Sequence, residues 1–142
     1  MKTLLSKFSF LSILTLILFL FLSFTQSLVW LDENHNQVTQ ENGVFYRPIP
    51  EKKRSTYFIV DYYKNGAKYR EGKATSLVVK KEVFKGYVTY FYSDGAEYKK
   101  EKYKNGVLDG SYKEYYPTGE LKVDGVYDRG VKEKVQLQRY LQ

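Results

Sequence analysis

A period of 24 residues runs from Gly86 to Gly130 and limits what this chain can fold into more than any other feature. Gly86, Phe91, Tyr92, Gly95, Tyr103 and Gly106 return as Gly110, Tyr115, Tyr116, Gly119, Tyr127 and Gly130. Inside each unit a tyrosine stands three places before a glycine. The phrase occurs as Tyr92-Ser93-Asp94-Gly95, Tyr103-Lys104-Asn105-Gly106, Tyr116-Pro117-Thr118-Gly119 and Tyr127-Asp128-Arg129-Gly130, with a fifth copy at Tyr63-Lys64-Asn65-Gly66. A short fixed period implies one supersecondary unit stacked on copies of itself, each completing the burial its neighbour needs.

The unit reads as a β-hairpin. Asn65-Gly66 between apolar stretches is the strongest short hairpin signal, because a tight type I′ turn needs positive φ at both central residues. Gly66, Gly95, Gly106, Gly119 and Gly130 are therefore the expected turn glycines, all with positive φ. Strands are predicted at Tyr57 to Tyr63, Ala67 to Ala74, Tyr87 to Tyr92, Ala96 to Tyr103, Val107 to Tyr116 and Glu120 to Tyr127. Pro117 falls inside a turn, where a missing backbone donor does no harm. Neighbours such as Phe91-Tyr92 and Tyr115-Tyr116 point to opposite faces of a strand, one into the core and one into an aromatic row. Tyr63, Tyr92, Tyr103, Tyr116 and Tyr127 are the expected contact aromatics of that row, which the tandem arrangement would make one continuous surface.

The fold class predicted is all-β: tandem antiparallel hairpins forming an elongated meandering sheet, after an N-terminal signal helix. Lys2 and Lys7 precede an apolar run from Phe8 to Phe24 that closes in small and polar residues, the layout of a secretory signal peptide over 1–27, cut after Ser27. If uncut, the run would be a membrane anchor. The remaining parts are an N-terminal cap and linker over 28–55, the repeats over 56–131 and a capping strand over 132–142. In the cap, Trp30, Leu31, Phe45 and Tyr46 are expected to pair as strands over the open end of the array. Arg47 to Arg54, with Pro48 and Pro50, reads as a solvated linker. Gly66 and Gly95 are 29 residues apart, five more than the repeat, and the excess is assigned to Thr75-Ser76-Leu77-Val78-Val79. That run either lengthens two strands or bulges out as a contact surface.

Chemistry is sparse. The sequence has no cysteine, so neither a disulfide nor a cysteine-borne lipid is available to it. His35 is the one histidine, placed in a polar stretch with no second ligand residue near it, and no metal is expected. A serine triad would have to rest on that histidine. No Gly-x-x-x-x-Gly-Lys-Ser/Thr loop is present, and no cofactor is expected. Asp94, Glu97, Glu101, Asp109, Glu114 and Glu120 offer carboxylate pairs of the glycosidase kind, but lysines surround them all and none is marked out. Removing Lys2 and Lys7 from the 23 basic residues leaves 21 against 16 acidic ones, a formal charge of +5. The lysines alternate with glutamates and tyrosines instead of forming a block, which reads as a solvated sheet face and argues against nucleic acid.

Tyr115-Tyr116-Pro117-Thr118-Gly119-Glu120-Leu121-Lys122-Val123-Asp124-Gly125-Val126-Tyr127 resembles the bacterial variant of the MORN repeat. Tyr103-Lys104-Asn105-Gly106-Val107-Leu108-Asp109-Gly110 resembles the aromatic-x-x-Gly-x-x-x-Gly core of MORN repeats in general. The likeness covers residues 57 to 131. It implies a family often labelled as antitoxin components of toxin-antitoxin systems, with protein binding and no catalysis. The lead-in Trp30-Leu31-Asp32-Glu33-Asn34 and the phrase Phe45-Tyr46-Arg47 are similar to secreted repeat proteins of bacteria with an outer membrane. The expected function is a non-enzymatic, secreted or periplasmic module that binds or scaffolds an envelope protein, the alternative being a binder of glycan or anionic lipid.

Overall fold

The hairpin period becomes a single antiparallel sheet. The computed structural model describes residues 28–137; the expected signal helix over 1–27 and residues 138–142 of the expected closing strand lie outside the described residues. Eleven strands follow in order: β1 (Val29–Leu31), β2 (Gln37–Val38), β3 (Phe45–Arg47), β4 (Glu51–Lys53), β5 (Thr56–Tyr63), β6 (Lys68–Ala74), β7 (Phe84–Phe91), β8 (Glu97–Lys104), β9 (Val107–Tyr115), β10 (Leu121–Asp128) and β11 (Val131–Leu137). From β5 to β11 each strand pairs with the next, a meander with no crossover. Beyond β5 the order continues β3, β1, β2, while β4 pairs with the same edge of β5. The described residues contain no helix.

The cap forms as pairing predicts, with Trp30 opposite Tyr46 and Leu31 opposite Phe45. The linker reading needs correction. Phe45 and Tyr46 pair with Tyr63 and Tyr62, and Glu51 to Lys53 pair with Phe58 to Thr56, so both flanks of the proline stretch lie along one edge of β5. Pro48 and Pro50 interrupt the ladder only where they lack the N–H to continue it. Arg54, at φ 56°, then turns β4 back into β5.

All five turn glycines take positive φ, between 81° and 92°. They fall into two kinds. Asn105-Gly106 and Arg129-Gly130 have positive φ at both residues and make the two-residue type I′ turn. At Gly66, Gly95 and Gly119 only the glycine does. Their N–H groups donate to the carbonyls of Tyr63, Tyr92 and Tyr116, closing a type I turn followed by a bulge. The type I′ expectation at Asn65-Gly66 is thus corrected: the Asn65 side chain accepts from the Ala67 N–H and holds its own backbone right-handed.

The 24-residue period is visible in the backbone hydrogen bonds. Gly106 N–H donates to Phe84 O, and Gly130 N–H donates to Leu108 O, one unit later. The core lies beneath the first units, where Ile59, Ala74, Phe84, Val88 and Tyr90 cluster with Tyr69, Leu77, Tyr98 and Tyr103 packed against them. Gly72 serves this packing by having no side chain, since a Cβ would approach Val88 to 2.9 Å. The extra residues neither extend strands nor stand wholly free: 75–83 form a loop whose Leu77 packs on the core while Val78 stays exposed.

Candidate functional site

The inward face carries charge where alternation calls for an apolar residue. Ile59 and Asp61 both point inward from β5 and both have zero exposure. A buried carboxylate persists only with strong partners. Asp61 accepts from Arg47 Nε at 2.6 Å and Nη2 at 3.0 Å, and from Arg70 Nε at 2.9 Å and Nη2 at 2.5 Å. Glu82, brought in by the 75–83 loop, accepts from Arg47 Nη2 at 2.7 Å. Two arginines and two carboxylates balance, and they tie the cap strand β3, the hairpin β5–β6 and the inserted loop into one lock. Burial alone would raise the Asp61 carboxyl, but the Arg47 hydrogen bond and the Arg70 and Arg47 charges hold it below the ordinary range.

His35 is drawn to the edge of this lock. The polar stretch that contains it folds into a tight turn at φ 59°, with the imidazole 5.5 Å from the Phe45 ring and 5.6 Å from Tyr69. Burial first, then the Arg70 charge, lowers its affinity for a proton. Among the described residues no group of three or more His, Cys, Asp or Glu is placed to hold a metal ion.

The five sequence-selected tyrosines are half-buried, and they do not form one row. The Tyr63 hydroxyl donates to Phe91 O and the Tyr92 hydroxyl to Tyr115 O, each at 2.8 Å, so both rings staple one hairpin to the next. Tyr103 sits on Phe84 in the core and donates to Glu101. Tyr127 contacts Tyr112, and the Lys122 ammonium lies 5.8 Å from the Tyr116 ring. Ring contacts instead run Phe45, Tyr69, Tyr90, Tyr98, Tyr92, with Tyr63 on Tyr69. The continuous surface row gives way to an internal chain of rings, because twist and the register shifts turn successive tyrosines toward the core.

Exposed apolar and aromatic surface lies elsewhere, on the outward face and at the last hairpin. Phe58 and Tyr87 are 39% and 50% exposed, and neither belongs to the repeated phrase. They line a shallow open depression of about 420 Å³ with Glu71, Lys73, Lys85, Thr89 and Lys100. Its floor is Gly86, at φ 82°, where the β6–β7 register shifts between Gly72 and Ala74. A Cβ at Gly86 would meet nothing within 4 Å, whereas at Gly110, one unit later, it would lie 2.7 Å from the Lys102 side chain. The hollow is therefore open at the first site and filled at the second. Lys100 and Lys102 ammoniums stand 5.3 and 5.8 Å from the Tyr87 ring centre. A hydrogen bond with Ser111, then the Lys102 charge, lowers the Tyr87 phenol below its usual value.

At the last hairpin, a valine recurs with the period. Val83 lies under the Gly106 turn and Val107 under the Gly130 turn, at 3.4 and 3.3 Å from the position of a glycine Cβ. Val131, the next in the series, is 67% exposed, as are Leu137 at 70% and Val126 at 45%. Compared with protein-family models, with curated proteins and with solved structures, the chain gives no match.

Proposed function

We propose that this chain is a non-enzymatic, exported module of MORN-like tandem hairpins that holds a protein partner at the cell envelope. The observation that carries this reading is the apolar step left bare on the last hairpin. Val83 is half-buried under the following turn and Val107, 45% exposed, still meets the next one, while Val131 and Leu137, 67% and 70% exposed, stand beside a sheet edge that no described strand pairs. Exposed apolar residues next to an unpaired edge are the surface a protein ligand can cover, with main-chain hydrogen bonds supplying affinity and apolar contacts supplying selectivity. The 24-residue repetition of turn hydrogen bonds supports the MORN-like description. The antitoxin-component label attached to that resemblance also describes protein binding. Secretion or periplasmic residence rests on the apolar segment after Lys2 and Lys7.

The test is crosslinking in cells that express the chain at native level, followed by purification and identification of what travels with it. A reproducible partner is expected, lost with Val131→Asp and Leu137→Asp and kept with Val78→Asp, an exposed valine on the 75–83 loop. Recovery without any reproducible protein, or equal loss with all three substitutions, removes the reading.

A further inference from the structure

We infer that the hollow over Gly86 is a binding site for an acidic polysaccharide, with sugar rings stacked on Tyr87 and Phe58 and carboxylates held by the surrounding lysines. The site is independent of the protein-binding reading, which rests on the last hairpin.

Charge selects the ligand's sign. Lys73, Lys85, Lys100 and Lys102 border the hollow and the Tyr87 ring, and none is within ion-pair distance of an acid among the described residues. Glu71, the acid of the hollow, is already engaged by Lys68 at 2.7 Å. The four ammoniums thus lack a protein counter-charge, although holding like charges together on one face costs stability. All are lysines, compact point charges that meet single carboxylates, without the planar fork with which arginine clamps a phosphate in two bonds.

Shape selects the ligand's form. Phe58 and Tyr87 are partly exposed beside a floor of bare backbone, with the Lys100 and Lys102 ammoniums over the Tyr87 ring, and an exposed aromatic with a polar tip suits a ligand that is apolar on its ring faces and polar at its rim. Lys73 is on β6 and Lys100 and Lys102 on β8, two strand spacings or about 9.5 Å apart, a separation matched by alternate acidic sugars of a chain. Thr89, between them, adds a hydroxyl for the sugar's own hydroxyls. The hollow is open and shallow, so it grips a segment of polymer from one side.

The full chain is titrated by calorimetry with a hexamer of galacturonic acid, and separately with maltohexaose, polyglutamate, oligothymidylate and phosphatidylglycerol vesicles. The uronate is expected to bind most tightly and to weaken with salt. Tyr87→Ala is expected to weaken it about tenfold, the loss usual for truncating an anchoring tyrosine. Lys73→Gln with Lys100→Gln is expected to remove the preference for the uronate over maltohexaose. Thermal melts report whether each variant keeps its fold, and if Tyr87→Ala does not, the lysine pair decides. Absence of uronate binding at low salt overturns the inference. So does uronate affinity that Tyr87→Ala or the lysine pair leaves unchanged in a folded protein, or equal or tighter binding of maltohexaose, polyglutamate, the oligonucleotide or the vesicles.

Discussion

Asp61 accepts from two arginines with no water contact, so removing its carboxylate strands both cations in a low-dielectric site. Asp61→Ala is expected to cost about 3–5 kcal/mol by urea unfolding, and Glu71→Ala, from the partly exposed pair with Lys68, under about 1 kcal/mol. Acid should weaken the same region in two stages. His35 in the fold sits below its ordinary 6.5, so the unfolded chain takes the proton first. Its contribution is therefore full above 6.5 and drains as pH falls from there toward the folded value. Asp61, held below 3.8, contributes fully above that value and loses its contribution as pH falls through the lower, folded one. Urea midpoints at about pH 7.5, 5.5 and 2.5 should show both losses, and His35→Asn, a residue that tolerates positive φ, should erase the first. The turn glycines supply a second ranking. Valine at φ 81° or 87° costs about 1–3 kcal/mol, so Gly106→Val and Gly119→Val should lower the melting midpoint more than Lys104→Val and Lys122→Val. Gly106 should be the more sensitive of the two, since Val83 lies 3.4 Å from its Cβ position and open space surrounds that of Gly119. A melt that ranks the lysines as more sensitive contradicts the hairpin turns described.

Hairpins in this sheet are joined by two devices, the shared ladder and the tyrosine hydroxyls that reach across to the next unit. Tyr63 and Tyr92 stand 29 residues apart and make the same bond, to Phe91 O and Tyr115 O. Tyr63→Phe and Tyr92→Phe each leave a carbonyl with one partner fewer and should cost about 0.5–1.5 kcal/mol. They act on different junctions, so the double variant should be close to the sum. Tyr46→Phe, whose ring stacks on Tyr62 at 5.3 Å without such a cross-hairpin bond, serves as the control. Unmoved urea midpoints for both single variants would mean that the ladder alone couples the units. The same scale explains the departure from period between Gly66 and Gly95. The added loop carries Leu77 onto the core and Glu82 into the arginine lock, which anchors the cap to the first hairpin.

Across the described residues, burial is graded along the sheet. Ile59, Ala74 and Val88 have zero or near-zero exposure under β5 to β7, whereas β11 is exposed at nearly every position. In an array where each unit touches only its neighbours, opening at one end need not disturb the other. Amide hydrogen exchange should be slowest in β5 to β8 and fastest in β11, with β10 between. Uniform protection from β5 to β11 would instead indicate one cooperative unit. The lysine-rimmed hollow thus lies on the better-buried half, and the exposed Val131 and Leu137 on the last hairpin.

The periodic glycines and aromatics determined, by local rules alone, that the chain is a meander of antiparallel hairpins, where the turns fall, and that each turn glycine adopts positive φ. Those features depend on neighbours a few residues apart, which a sequence displays directly. The tertiary structure decided which face each tyrosine occupies, because register shifts near Gly72, Asp61, Tyr90 and Glu101 re-aim side chains that simple alternation places elsewhere. It also decided the lock of Arg47, Asp61, Arg70 and Glu82, whose members are as far as 35 residues apart. One local sign of the lock is present, an aspartate on the inward parity of an otherwise apolar strand, but its partners come from a segment that reads as linker and a loop that reads as insertion. The hollow over Gly86 has no sequence signature distinguishing it from Gly110, since both glycines repeat. What opens one and fills the other is where a single lysine side chain lies.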